Sequence, residues 1–142
     1  MAGPWHTLSA AIIAAIESDT GSGGLMQTGG AQIGGVFNTV APDGSQYPYV
    51  ILDQVSGPAL KTFDSDGDDI TWQFGVYVGQ YNDNATTLDG ILERLKTLFD
   101  GATLSLSGGW GASAIQRTGS SNTVVADQVL YRADEYSVTL TR

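Results

Sequence analysis

The stretch Ile70-Thr-Trp-Gln-Phe-Gly-Val-Tyr-Val78 decides the fold, because its side chains alternate between two kinds. One set is wholly apolar and comprises Ile70, Trp72, Phe74, Val76 and Val78. The other set is polar or small and comprises Thr71, Gln73, Gly75, Tyr77 and Gly79. Such alternation is typical of a β-strand that covers a core with one face. The sequence therefore predicts a strand with its second face toward solvent or a neighbouring molecule.

An amphipathic helix is predicted directly after this strand. Apolar residues recur there at helical spacing, at Leu88, Ile91, Leu92, Leu95, Leu98 and Phe99, and Gly101 follows as a natural stop. A second stripe predicts an N-terminal helix and comprises Leu8, Ala11, Ile12, Ala15 and Ile16. Elements with one apolar face must cover one another. We therefore predict an α+β fold, with a mainly antiparallel β-sheet of about four to six strands and two helices packed on one face.

The chain of 142 residues is expected to form one domain, 1–142. Three segments are expected to differ from the packed body. They are a flexible glycine-rich loop at 21–35, an acidic hairpin tip at 63–69 and an extended arm at about 118–132. The chain has no cysteine, which excludes disulfides and thiolate metal sites.

The charge balance argues against a protein that grips nucleic acid or a membrane. The formal net charge is −9, and the six basic residues are scattered along the chain. Affinity for DNA comes mostly from clustered lysine and arginine, whereas DNA can pass an acidic surface without binding to it. The longest strongly apolar run, at 10–16, is far below the roughly 20 residues of a membrane helix. We expect no membrane association, and DNA only as passing cargo.

An aspartate-rich loop offers the sharpest local signal for a ligand. Asp64, Asp66 and Asp68 place hard oxygen ligands at alternate positions, as a calcium loop does. The spacing departs from the EF-hand pattern, because Gly67 comes too early for the loop glycine and Gly75 occupies the twelfth position. The alternative interpretation, which the spacing favours, is a solvated hairpin tip whose charges protect a sheet edge.

No catalytic or cofactor-binding pattern is present in the sequence. His6 is the only histidine and lies beside Trp5 at a helix entry. The chain has no Gly-x-Ser-x-Gly elbow, and its glycine-rich segment has no lysine for a phosphate-binding loop. We therefore predict a protein that is not an enzyme and that has no cofactor.

Three pieces of sequence stand out in this order of elements: Ala41-Pro42, Tyr47-Pro48-Tyr49-Val50 and the strand-to-helix segment 71–98. With the order of the elements, they resemble the tail-terminator or tail-completion family of tailed bacteriophages, which includes related proteins of gene transfer agents. The likeness extends over nearly the whole chain and rests on pattern and order, since none of these pieces is a catalytic signature.

The resemblance implies a structural virion protein, made in the host bacterial cytoplasm. Such proteins form a ring, here a homo-hexamer, at the head-proximal end of the tail tube. The ring stops tail polymerisation and joins the tube protein to the neck or head-completion protein, while DNA passes through its channel. An alternative is another head–tail connector or neck adaptor. A less favoured alternative is a calcium-dependent or carbohydrate-binding β domain.

An interface between subunits is expected to combine one face of the sheet with the extended arm, because heterologous contacts can close a ring. The candidate residues are Tyr77, Tyr81, Arg117, Asn122, Val124, Tyr131 and Arg132. The glycine-rich loop is expected to order on a tube or neck partner, with Gly23, Leu25, Met26 and Gly30 as candidate contacts.

Overall fold

The computed structural model describes residues 4–56, 59–61, 66–79, 85–121, 123–126 and 129–141. Two helices and eight strands lie within these ranges. They are α1 (Pro4–Glu17), β1 (Val36–Asn38), β2 (Tyr49–Ser56), β3 (Ala59–Lys61), β4 (Asp66–Gly79), α2 (Ala85–Phe99), β5 (Gly111–Ala112), β6 (Gln116–Ser120), β7 (Val124–Ala126) and β8 (Val129–Thr141). The strands join into one sheet, so the predicted combination of a sheet with two helices is confirmed.

The two longest strands, β4 and β8, form the centre of the sheet. They run antiparallel, from Gly67 opposite Thr141 to Gly79 opposite Val129. Strand β2 lies on the other side of β4, with β1 beyond it, and β3 pairs with the start of β4. Strands β5, β6 and β7 pair one after another with the outer side of β8.

The predicted number of strands, four to six, was too low. The additional strands β3, β5, β6 and β7 have two to five residues each, which is too short to show an alternating pattern. One pairing is also parallel, that of β1 with β2. The pairings in the rest of the described sheet are antiparallel, so its mainly antiparallel character was predicted correctly.

The core lies between the predicted apolar face of β4 and both helices. The five alternating apolar residues of β4, from Ile70 to Val78, are at most 1% exposed. They belong to one cluster with Leu8, Ile12 and Ile16 of α1 and with Leu88, Ile91, Leu92, Leu95 and Phe99 of α2. Gly101 has a φ of +82°, the left-handed conformation expected just after a helix. Both helices thus cover one face of the sheet and leave the other face open.

Each of the three segments singled out in the sequence lies at least partly within the described residues. The glycine-rich segment 21–35 sends Leu25 and Ile33 into the core, at 0% and 3% exposure. Residues 66–69 of the expected acidic tip belong to β4, whereas residues 62–65 lie outside the described ranges. The described part of 118–132 belongs to the end of β6, to β7 and to the start of β8, and β6 and β7 pair with β8. Within the described ranges, neither helix has the length and hydropathy that crossing a bilayer requires.

Candidate assembly surface

A row of aromatic rings crosses the open face of the sheet. The register places Tyr49 of β2 and Tyr131 of β8 on either side of Tyr77 of β4. The ring centroids of Tyr49 and Tyr77 are 5.1 Å apart, and those of Tyr77 and Tyr131 are 4.7 Å apart. Tyr47 stacks on Tyr49 at 5.1 Å, and Phe37 meets Tyr49 edge-on at 6.2 Å. We call these five residues the aromatic row.

Two glycines make room for the aromatic row. A Cβ atom on Gly75 would lie 2.9 Å from Cε2 of Tyr131 and 3.5 Å from Cε1 of Tyr77. A Cβ atom on Gly79 would lie 3.4 Å from Cβ of Tyr47. Glycine has no side chain to pack in a strand, and at these two positions its absence lets the aromatic rings lie against the sheet.

Three tyrosines of the row, Tyr49, Tyr77 and Tyr131, have raised pKa values. Burial raises the pKa of Tyr49 to about 12, and a hydrogen bond with Tyr47 adds to this effect. Burial is also the largest cause that raises the pKa of Tyr77 and Tyr131. The hydroxyl groups of these three residues therefore keep their protons at neutral pH.

Acidic and polar side chains occupy much of the rest of the open face, together with Ile51 and Ala133. Asp53 of β2 and Glu135 of β8 flank Gln73 of β4 in register, and Asp69 lies opposite Thr139 farther along. Oγ1 of Thr139 and Oδ1 of Asp69 are 3.5 Å apart. The described open-face positions of β2, β4 and β8 include no lysine or arginine. This face therefore combines aromatic rings and carboxylates without basic side chains.

Arginines lie instead on the helix side of the sheet. Arg117 donates from Nε to Oδ2 of Asp134 at 3.1 Å, which is the main reason that its pKa is raised. Arg132 donates to Oδ1 of Asp89 at 3.2 Å and to Oγ of Ser120 at 3.0 Å. Both arginines line a cleft of about 390 Å³ between α2 and β8. These two guanidinium groups therefore bind carboxylates of their own chain.

The predicted interface residues fall on two faces of the sheet. Tyr77 and Tyr131 lie in the aromatic row, and Val124 lies beside Tyr131 on β7 with 49% exposure. Arg117 and Arg132 face the helices, because successive residues of a strand point to opposite sides. Tyr81 and Asn122 lie outside the described residues. A single flat contact cannot include all seven residues, and their role in assembly remains a prediction.

The loop residues predicted to contact a partner also have different environments. Gly23 and Gly30 are exposed, and Met26 is half-buried. Leu25 is fully buried, and its N–H donates to Oδ2 of Asp19 at 2.8 Å. Its side chain packs in this chain's own core and is not available to a partner, which corrects the expectation for this residue.

The candidate calcium ligands cannot be placed as a site. Asp64 and the side chains of Asp66 and Asp68 lie outside the described part. Among the residues that the structure describes, no group of three or more His, Cys, Asp or Glu is arranged to hold a metal ion. His6 is exposed on α1.

The sequence prediction missed part of the aromatic row. Phe37, Tyr47 and Tyr49 were absent from the predicted interface, although Tyr47 and Tyr49 stand at alternate positions as side chains of one strand face do. Their proximity to Tyr77 depends on the register between β2 and β4. The order of elements along the sequence does not determine this register.

Comparison with known proteins supplies a match at the level of structure. Neither a protein-family model nor a curated protein matches the chain. A chain described as "Virion of native gene transfer agent (GTA) particle" superposes with a TM-score of 0.78 at 14% sequence identity, covering 100% of both chains. A second solved structure, whose name states no activity, gives a TM-score of 0.56 at 13% identity and covers 93% of this chain and 94% of that one. At these identities the comparisons show that this chain has the fold of a chain from a gene transfer agent virion.

Proposed function

We propose that this chain is a structural subunit of a phage-like particle, and that its copies form a ring at the head-proximal end of the tail tube. In this role the ring ends tail polymerisation and joins the tail to the neck, with DNA passing through its channel. The observation that carries the proposal is the end-to-end superposition on a chain of a gene transfer agent virion. A ring is favoured because heterologous contacts between identical copies close on themselves when the rotation fits.

The character of the surface supports a role in assembly. The aromatic row places tyrosine rings, which are favoured at protein interfaces, on a sheet face that the helices leave uncovered. Tyrosine contributes large contact areas together with a hydroxyl that can donate a hydrogen bond. This surface suits a contact between proteins better than it suits catalysis.

The charge distribution is compatible with a DNA channel. The open-face positions of β2, β4 and β8 carry Asp53, Asp69 and Glu135 but no basic residue. Phosphate groups bind to lysine and arginine, and like charges repel at short range. A face of this composition lets DNA move past it without being held.

The test is a gene deletion in the strain that produces the particles, followed by electron microscopy of the particles. A chain that terminates the tail is expected to leave tubes of abnormal length that are not joined to heads. Complementation with the unaltered gene should restore tails of uniform length and their joining. Normal particles in the deletion strain would overturn the proposal.

The same micrographs separate this role from that of a neck adaptor. Loss of an adaptor that binds only the head side is expected to leave tails of normal length beside unjoined heads. That outcome would keep the chain in the virion but would contradict its terminating role. The length distribution of the tails is therefore the deciding measurement.

A further inference from the structure

Exposed large apolar side chains occur at only two places in the described part of the chain, and these are opposite edges of the sheet. Val40, Tyr47 and Val55, which are 71%, 41% and 50% exposed, lie at the β1–β2 edge. Val124 and Val125, which are 49% and 59% exposed, lie on β7 at the β8 side. We call these two sets the first edge and the second edge.

Both edges also present backbone that the described chain does not pair. The contacts of β1 with β2 extend to Leu52, whose carbonyl accepts from the N–H of Thr39 at 2.9 Å. Beyond that point, the side of β2 that faces away from β4 has no neighbouring strand in the described residues. Strand β7 pairs with β8 on one side, and its other side has no strand within the same ranges. Natural proteins limit pairing at such edges with charged residues, β-bulges or very short strands.

Charge protects these edges only in part, since Asp53 is the one charged residue in the unpaired stretch 53–56 of β2. No charged residue occurs in 20–42, which contains β1 and leads to the first edge, or in 118–126, which contains β7. The whole chain nevertheless carries a formal charge of −9. Two copies of the chain would repel each other over most orientations, and these edges, which carry few charges, are where they can approach at the lowest cost.

From these observations we infer that the second edge of one copy packs against the first edge of a second copy. Val124 and Val125 of β7 then lie against Val40 and Val55 of the neighbour. The two edges are different surfaces, so the contact is head-to-tail and repeats from copy to copy. The closure of this series into a ring rests on the proposed function, whereas the contact itself does not.

The absence of cysteine from the chain makes disulfide trapping a direct test. A double variant, V55C/V125C, is expected to form a ladder of covalent oligomers under mild oxidation. Each single variant is expected to stay uncrosslinked, and a mixture of the two single variants should give only covalent dimers. Both side chains are at least half exposed, so the substitutions leave the core intact.

The matched control replaces one edge with an exposed position on a helix. Ala14 of α1 is exposed, and A14C/V125C reports the crosslinking that arises from random collisions. A ladder from V55C/V125C that clearly exceeds this control supports the contact. Covalent dimers from V125C alone would show that two second edges meet, and would overturn the head-to-tail arrangement.

A charge variant supplies a second measurement that does not depend on disulfide chemistry. V125K places an ammonium group in the second edge and is expected to shift the protein toward monomer in sedimentation velocity. Oligomers that persist in V125K, or that form without edge crosslinks, would overturn the inference while leaving the ring function in place. Edge crosslinks in a protein whose deletion leaves particles normal would retain the contact and refute the proposed function.

Discussion

At the scale of single residues, Gly24 shows how the glycine-rich segment is held. A Cβ atom on Gly24 would lie 2.2 Å from the backbone oxygen of Asp19, which also accepts a hydrogen bond from the N–H of Met26 at 3.0 Å. The substitution G24A must therefore displace this part of the backbone. We expect it to lower the free energy of unfolding by about 2 kcal/mol, measured by urea denaturation.

Gly21 provides the matched control in the same segment. A Cβ atom there would meet nothing within 4 Å, and the residue is exposed. We expect G21A to change the free energy of unfolding by less than about 0.5 kcal/mol. Equal effects of G24A and G21A would mean that the segment is not packed against Asp19 as described.

Sequence pattern predicted the environment of some residues and not of others. Trp72 was expected in the core from its place in the alternation, and it is fully buried. Leu25 and Met26 stand together among glycines and polar residues, so no period indicated that Leu25 is buried too. Its position depends on the Asp19 carboxylate, a contact that neighbouring residues in the sequence do not specify.

At the scale of elements, one ion pair connects the end of α1, the glycine-rich segment and α2. The carboxylate of Asp19 accepts from Nε of Arg94 at 2.9 Å and from the N–H of Leu25 at 2.8 Å. The side chain of Asp19 is 6% exposed and that of Arg94 is 31% exposed. We expect D19N to lower the free energy of unfolding at pH 7 by about 2 kcal/mol, because charge-assisted hydrogen bonds are lost.

This effect has a defined pH dependence. The hydrogen bond from Arg94 is the largest cause that holds the pKa of Asp19 below its usual value of 3.8. The stabilisation is fully present above the unfolded-state pKa and is lost as the pH falls through the lower folded-state pKa. The difference in unfolding free energy between the unaltered chain and D19N should therefore narrow below pH 3.8.

The control for this pair is D89N, which removes an exposed partner of Arg132. The side chain of Asp89 is 62% exposed, and exposed ion pairs contribute about 0–1 kcal/mol. Urea denaturation of D19N and D89N at pH 7 compares the two pairs directly. A loss in D89N as large as that in D19N would contradict the assigned role of burial.

The elements themselves were predictable where a period is long enough to recognise. The alternation of β4 and the stripes of α1 and α2 predicted those elements and the core between them. The edge strands were not predictable, because β5 has only two residues and β7 only three. The parallel pairing of β1 with β2 and the register of the aromatic row depend on contacts between separate elements, which a single sequence does not contain.

At the scale of the whole molecule, charge and apolar surface have opposite effects on association. Copies with a formal charge of −9 repel one another, whereas the two proposed edges of contact expose valines and carry few charges. Added salt shortens the Debye length from about 30 Å at 0.01 M to about 3 Å at 1 M. It thereby screens the repulsion and leaves the apolar contact in place.

We therefore expect self-association to strengthen as the concentration of sodium chloride rises over this range. Sedimentation velocity at fixed protein concentration measures the fraction of oligomer at each salt concentration. An interface held by ion pairs would behave in the opposite way, because screening weakens attraction between opposite charges. Dissociation at high salt would thus place the contact at charged groups such as Asp53 and Glu135 on the open face, and away from the valines of the two edges.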